Sequence, residues 1–209
     1  MAQAVGFVAG PAGRGITVFA ANGRDTITGS GGADRIFGEG GNDRIRGGFG
    51  NDTLDGGAGA DTYLLEDTAQ TNGSDAIAFS FGTGGDILDI SFSAFSPGTT
   101  DSVVELTQVA DITAASVGVS RIIVLTANAP TAITAASLEA LLNASDLDTT
   151  QIGVRFLILD AGSELRVFRI SNTDTQDNND VLVELMATIT NVSDIAPGQI
   201  VAGNFDGTP

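Results

Sequence analysis

The chain of 209 residues is 42% hydrophobic and carries a net charge of −17, with nine arginines, no lysine and 26 acidic residues. This balance permits a substantial core but disfavours nucleic acid and anionic membranes as partners, so metal cations are the simplest expected partner. Because His, Cys and Lys are absent, disulfides, Ser–His triads, cysteine nucleophiles and Schiff bases are excluded, and we expect no enzyme. A carboxylate pair could hydrolyse sugars, but the chain has no Trp and one Tyr to grip them.

The N-terminal residues 1–19 are expected to form a strand or cap. They contain no basic leader, and Gly6, Gly10 and Pro11 interrupt their apolar stretch. This pattern argues against an N-terminal signal peptide, and no segment is long enough to insert into a membrane. The ITVFAAN stretch at residues 16–22 is positioned either to cover the start of the following segment or to accept a neighbouring molecule.

A nine-residue repeat follows without a break in phase. Its five units are AANGRDTIT, GSGGADRIF, GEGGNDRIR, GGFGNDTLD and GGAGADTYL. The fourth residue of each unit is Gly, the sixth is Asp, the eighth is apolar or aromatic, and the first is Gly in all units but one. A fixed period of this kind predicts a stacked repeat architecture.

The unit predicts a glycine-rich turn followed by a three-residue strand whose central side chain points inward. Two units make one coil of 18 residues, and stacked coils bury a continuous core from Ile27, Ile36, Ile45 and Leu54. Turns on one side then carry Asp25, Asp43 and Asp61, and turns on the other side carry Asp34 and Asp52. Calcium binds oxygen at about 2.3–2.6 Å, so an ion between coils about 4.8 Å apart can contact carboxylates above and below.

From about Ala20 to Leu64, these units resemble the repeats-in-toxin, or hemolysin-type calcium-binding, family. The resemblance implies a parallel β-roll whose ligands are the repeat aspartates and the carbonyls of the turn glycines. It implies three full calcium sites, from the pairs 25/43, 34/52 and 43/61, and weaker half-sites at the ends. Two departures from the pattern are Ala20, in place of the leading glycine, and Tyr63, which we expect to end the stack. The implied ligands are Asp25, Gly29, Gly32, Asp34, Gly38, Gly41, Asp43, Gly47, Gly50, Asp52, Gly56, Gly59 and Asp61.

The segment after the repeats is similar to the run that closes the last coil in this family, so we assign residues 20–92 to the roll with its closing segment. The acidic positions that match are Asp67, Asp75, Asp86 and Asp89. Asp86 follows the turn GTGGD and is the residue that we expect to complete a terminal site. An ordinary turn aspartate is the alternative at these positions.

Residues 93–209 lose the period and predict an all-β, sandwich-like domain with one helix. Apolar, β-branched runs such as VVELT, RIIVLTA, GVRFLILDA, ELRVFRIS and VLVELMATIT indicate strands, with a hairpin turn at Ala161–Ser163. TAASLEALLNASD predicts the helix, with a cap near Thr134 and a buried stripe of Leu138, Leu141 and Leu142. The loop with Asp174, Asp177 and Asp180 is a weaker calcium candidate, and a solvated turn is favoured there.

This C-terminal half resembles the corresponding regions of bacterial surface-layer and other hemolysin-type proteins, and its ending, MATITNVSDIAPGQIVAGNF, is similar to their uncleaved export signals. The resemblance implies type I secretion and a location outside the cell or on its surface. We therefore expect a secreted, calcium-binding structural protein that folds on calcium binding and self-associates into a surface layer, fibre or matrix. The alternative is a monomeric secretion and folding module, or the adhesive, ligand-binding C-terminal part of a larger protein.

Overall fold

A computed structural model describes residues 6–7, 13–65, 73–82, 84–90, 106–109, 122–125, 134–143, 155–160, 164–172, 181–190 and 205–206. The described elements are strands and one helix. In chain order they are β1 (Gly6–Phe7), β2 (Thr17–Phe19), β3 (Thr26–Thr28), β4 (Arg35–Phe37), β5 (Arg44–Arg46), β6 (Thr53–Asp55), β7 (Thr62–Leu65), β8 (Asp75–Ala78), β9 (Ile87–Ile90), β10 (Leu106–Val109), β11 (Ile122–Leu125), α1 (Ala135–Asn143), β12 (Arg155–Asp160), β13 (Leu165–Asn172), β14 (Val181–Thr190) and β15 (Phe205–Asp206).

The repeat block forms a parallel β-roll, as predicted. Successive strands alternate between two sheets: sheet A has the order β1-β3-β5-β7-β9-β15, and sheet B ends with β14-β8-β6-β4-β2. Within the repeats, each strand pairs in parallel with the strand 18 residues later, as in Ile27 with Ile45 and Ile36 with Leu54. Two units therefore make one coil, and turns of the same side stack on each other.

The core lies between the two sheets and takes one side chain from each repeat strand. Ile27, Ile36, Ile45, Leu54 and Tyr63 are at most 1% exposed, while their strand neighbours face outward. A three-residue strand buries a single apolar side chain, so the stack must be continuous for the core to exclude water. The predicted core residues are confirmed.

Tyr63 does not end the stack, contrary to the prediction from its size. Its strand β7 pairs in parallel with β9, and β9 pairs with β15. The ring lies fully inside the roll, with its centroid 5.9 Å from that of Phe79. The hydroxyl accepts a hydrogen bond from the Gly56 N–H and donates one to the Ala78 carbonyl, both at 2.7 Å. The interior therefore accommodates the phenol by giving its polar end two backbone partners.

Both ends of the repeat block are extended by further strands. At the N-terminal end, β1 pairs with β3 and β2 pairs with β4, so part of the ITVFAAN stretch covers the first coil. At the other end, β8 pairs with β6 and then with β14. The turns between successive strands hold the repeat aspartates.

Sheet B continues from the roll into the C-terminal strands. Beyond β14 it runs β13, β12, β11 and β10, with antiparallel pairing from β12 to β14 and a register shift at Val167/Phe168. Leu165, Val167, Met186, Ala187 and Ile189 join the same buried cluster as the roll residues. Each of the apolar runs predicted as strands is confirmed where the structure describes it, as β10 to β14. The sandwich-like packing and the domain boundaries at 19/20 and 92/93 stay predictions.

Helix α1 is confirmed with the expected cap. The Thr134 hydroxyl accepts a hydrogen bond from the Ser137 N–H at 3.1 Å, and Leu138 is buried. No helix in the described segments is long and apolar enough to cross a membrane. The side chains of Leu141 and Leu142, the turn at Ala161–Ser163 and the loop with Asp174, Asp177 and Asp180 lie outside what the structure describes.

Candidate metal centre

The fourth glycine of the unit makes the close approach between stacked turns possible. Gly41 and Gly59 have φ angles of 137° and 144°, a backbone region that side chains rarely tolerate. A Cβ at Gly41 would collide with the Gly23 carbonyl, and one at Gly59 would collide with the Gly41 carbonyl. The glycine is therefore required both by its conformation and by the turn of the preceding coil.

The leading glycine has a different role, because it keeps space open beside a carboxylate. A Cβ at Gly38 would lie 2.5 Å from the Asp43 Oδ2 and 2.6 Å from the Gly56 carbonyl oxygen of the next coil. Both separations are far shorter than a carbon–oxygen contact, so a side chain there would have to displace one of the two oxygens. The first glycine therefore leaves a small oxygen-lined space that any side chain would fill. The carboxylate of the same unit also lies beside Gly29, Gly47 and Gly56.

The aspartates form a hydrogen-bonded ladder along each side of the roll. The Asp43 Oδ1 accepts the Asp25 N–H at 2.8 Å, and the Asp61 Oδ1 accepts the Asp43 N–H at 2.8 Å. On the other side, the Asp52 Oδ1 accepts the Asp34 N–H at 2.8 Å. Each carboxylate is thereby fixed against the coil before it, which places same-side carboxylates in register. The predicted pairs 25/43, 34/52 and 43/61 are brought together.

The second carboxylate oxygen of the interior aspartates has no hydrogen-bond partner. This holds for Oδ2 of Asp43, Asp52 and Asp61, and each of these residues is at most 2% exposed. A buried charge without a partner is strongly unfavourable, and a metal ion is one of the few groups that satisfies it. The unpartnered oxygens and the spaces beside the leading glycines therefore fit a hard, oxygen-binding cation.

Burial also shifts the protonation of these groups. Burial raises the pKa of Asp52 to about 6. The hydrogen bond from the Asp34 N–H lowers this pKa, and the negative charge of Asp34 raises it further. Burial raises the pKa of Asp43 and Asp61 as well, and neighbouring carboxylates on the same side add to both shifts. The ladder thus concentrates like charge in a site with little water, and a bound cation would favour the ionised forms.

The coordination shell cannot come from carboxylates alone. In the described part of the chain, no three acidic side chains converge on one point. The oxygens that lie near each interior carboxylate are backbone carbonyls, such as that of Gly56 beside Gly38 and that of Gly47 beside Gly29. Calcium accepts such mixed shells, whereas magnesium demands stricter geometry and retains water.

The closing segment extends the ladder on both sides. The Asp86 Oδ1 accepts the Asp61 N–H at 2.9 Å, and the Asp75 Oδ1 accepts the Asp52 N–H at 3.0 Å. Asp86 therefore occupies the predicted terminal position. Asp75 matched the closing run but was not among the expected ligands. Its DAIA strand, with alternating burial like that of the repeats, was the available signal.

Asp89, another acidic position of the closing segment, pairs with an arginine. The Asp89 Oδ2 lies 3.0 Å from the Arg44 guanidinium on sheet A, and Asp67 lies outside the described residues. The carbonyl of Gly41 packs against Gly59. Gly32 and Gly50 contact the neighbouring coils through their backbones. The role of each individual residue as a calcium ligand stays a prediction.

Comparison with known proteins agrees with this geometry. The family profile of the RTX calcium-binding nonapeptide repeat matches residues 17–45 and 37–65. No curated protein and no solved structure matches the chain. The two matched segments cover the strands and turns that build the ladder up to β7. Residues 17–65 of this chain are therefore RTX calcium-binding nonapeptide repeats.

Proposed function

We propose that the chain is a secreted, non-enzymatic structural protein that folds when calcium binds and then assembles outside the cell. The observation that carries the proposal is the set of unpartnered Oδ2 atoms of Asp43, Asp52 and Asp61, which are buried in the roll. These atoms make the folded roll unfavourable without a cation. Calcium binding is the established property of the repeats, and the gating of folding and assembly is the proposed consequence.

Calcium supports folding because the ladder aligns like charges. Asp43 and Asp61 lie on consecutive coils of one side. Burial raises the pKa of both carboxyls, the Asp61 charge adds to the rise at Asp43, and the Asp86 charge adds to the rise at Asp61. Extracellular calcium modules bind with dissociation constants of about 10⁻⁴–10⁻³ M. At about ten times that constant, one site adds roughly 1.4 kcal/mol to stability. Several such sites amount to a large part of the stability of a small domain.

Assembly is supported by the edge of sheet B. Strand β2 is the last strand of this sheet within the described segments, and such an edge presents backbone donors and acceptors to other chains. Phe19 on β2 is 68% exposed and stacks on Phe37, with ring centroids 4.9 Å apart and planes at 9°. An exposed aromatic column that ends at an open edge favours the addition of a further strand or coil.

Secretion is supported by the resemblance of the C-terminal residues to type I export signals. We expect that removal of residues 151–209 abolishes export, whereas removal of residues 2–15 does not. Appearance of the C-terminally truncated chain in the medium at the level of the full chain would show that the signal lies elsewhere.

Sedimentation velocity tests the assembly. We expect monomer in chelator and concentration-dependent larger species at about 1 mM calcium, within the range of such sites. Phe19→Ser should suppress the larger species. Phe49→Ser is the matched control, because Phe49 is 54% exposed but lies on an interior coil. A calcium-bound monomer at every concentration would contradict the assembly and favour a folding module of a larger protein.

A further inference from the structure

The aspartates at two ends of the ladder differ from those in the interior. The Asp34 Oδ2 accepts the N–H of Ser30, and the Asp34 Oδ1 accepts the Ile16 N–H at 2.7 Å. The Ser30 hydroxyl also lies 2.8 Å from the Asp34 Oδ1 and 2.7 Å from the Arg14 carbonyl oxygen. Its single proton can be donated to either of these acceptors. Protein donors therefore reach both oxygens of this buried carboxylate.

A serine occupies the corresponding place at the opposite end. The N–H of Ser80 donates to the Asp86 Oδ2 at 2.8 Å, while the Asp61 N–H donates to the Asp86 Oδ1 at 2.9 Å. The loop from Ser80 to Asp86 is longer than the repeat turn from Ser30 to Asp34, yet it delivers the same donor to the same oxygen. Two turns of different sequence and length thus reach one arrangement.

The interior carboxylates lack this arrangement. Oδ2 of Asp43, Asp52 and Asp61 has no hydrogen-bond partner, although these residues are as buried as Asp34. A difference in the space around the carboxylate does not explain this, because a leading glycine lies beside Asp34, Asp43 and Asp52 alike. The difference is a backbone N–H, that of Ser30 or Ser80, which reaches Oδ2 of Asp34 or Asp86.

The coil before Asp34 offers this carboxylate no acidic neighbour. The residue 18 positions before Asp34 is Ile16, which occupies the aspartate position of a degenerate unit whose strand is β2. No carboxylate of that coil can share a cation with Asp34. The Ser30 hydroxyl instead bridges Asp34 to the Arg14 carbonyl of the same coil.

We propose that the turns at Ser30 and Ser80 are calcium-independent caps, which satisfy the carboxylates of Asp34 and Asp86 by hydrogen bonds where Asp43, Asp52 and Asp61 use the cation. Asp34 and Asp86 then hold the end coils in place, and Asp43, Asp52 and Asp61 carry the calcium requirement. This inference rests on the calcium-dependent folding proposed above and assigns different roles to carboxylates that the repeat pattern makes equivalent.

Two matched pairs of variants in the full chain test the proposal. Asp34→Asn is compared with Asp52→Asn on one side of the roll, and Asp86→Asn with Asp61→Asn on the other. The number of calcium ions bound per chain is measured by equilibrium dialysis at about 1 mM free calcium, which is in the range of extracellular sites. We expect Asp52→Asn and Asp61→Asn each to lose at least one bound ion. Asp34→Asn and Asp86→Asn should retain the full number and show a lower urea midpoint of unfolding.

An equal loss of ions within either pair, or no loss in any variant, would overturn the proposal. If a terminal variant does not fold, Ser30→Ala decides, because it removes the hydroxyl from the Asp34 Oδ1 and keeps the N–H on the Oδ2. A lower urea midpoint with an unchanged number of bound ions supports the cap, whereas fewer bound ions or an unchanged midpoint refutes it. Failure of the wild-type chain to bind calcium would instead refute the calcium-dependent folding itself, so the two results are distinguishable.

Discussion

Replacement of Tyr63 by Phe removes one oxygen atom that joins two coils of the roll. In the regular coils, the N–H of the leading glycine bonds directly to the next coil of its sheet, as Gly29 does to the Arg46 carbonyl and Gly38 to the Asp55 carbonyl, both at 2.8 Å. At Gly56 the corresponding partner is the Ala78 carbonyl, by the register of Asp55 with Ala78. The Tyr63 hydroxyl is inserted between them, at 2.7 Å from each.

The expected cost follows from the groups left without partners. In Tyr63→Phe, the buried Gly56 N–H loses its acceptor, and the less buried Ala78 carbonyl loses its donor. An unsatisfied buried group costs about 1–3 kcal/mol, and one that water can reach costs less. We therefore expect a loss of about 2–4 kcal/mol, which is large for a domain of ordinary stability.

Urea unfolding at saturating calcium, followed by circular dichroism, measures this loss. Thr26→Val is the control, because Thr26 is exposed on β3 and its substitution also removes a hydroxyl from a repeat strand. A Tyr63→Phe variant within about 0.5 kcal/mol of the wild type, the usual range for surface substitutions, would refute the bridge. It would mean that Gly56 and Ala78 close the gap by direct contact or through water.

Three further predictions follow from the ladder and the sheets. Burial raises the pKa of Asp52 to about 6 from 3.8, so folding without calcium should be favoured below about pH 4 and lost as the pH rises through 6. For the same reason, calcium affinity should fall about tenfold from pH 7 to pH 5. Circular dichroism spectra in chelator and calcium titrations that do not change with pH would contradict this. Gly38→Ala should lower calcium affinity, because its Cβ enters the space beside Asp43. Gly40→Ala should not lower it, because its Cβ would first meet the Asn22 side chain, at 3.0 Å. Calorimetry that gives both variants the same affinity would refute the assigned space. Calcium should slow hydrogen exchange of β14 amides as well as those of the repeats, and protection confined to the repeats would show that the two parts fold independently.

The repeat block was predictable because its period encodes both its geometry and its chemistry. Phase-locked Asp and apolar residues fix the two-unit coil, the buried positions such as Ile36 and the pairing of Asp25 with Asp43. These features are local: each depends on one nine-residue unit and on its identical neighbours. The periodic sequence therefore determines the structure of the roll almost residue by residue.

The ends of the roll were not predictable from the period. Asp75 joins the ladder although its connection is longer than a repeat, because hydrogen bonding to Asp52 and not sequence spacing sets its position. Tyr63 fits inside the stack because Gly56 and Ala78 satisfy its hydroxyl, a fact that depends on residues from three strands. The pairing of β14 with β8 joins residues more than 100 positions apart, and no local pattern specifies such a contact.

The pairing of β8 with β14 makes the C-terminal strands dependent on the metal-binding part. Strand β8 begins at Asp75, whose carboxylate is fixed by the Asp52 N–H, and it pairs with the repeat strand β6 on one side and with β14 on the other. The same strand contributes Ile77 to the shared core that contains Ala187 and Ile189 of β14. A disordered ladder would leave β8 without a fixed position and β14 without its parallel partner. If calcium orders the ladder, as proposed, it also supplies the edge on which the C-terminal strands add, and the cation would then control the packing of residues far from any carboxylate that binds it.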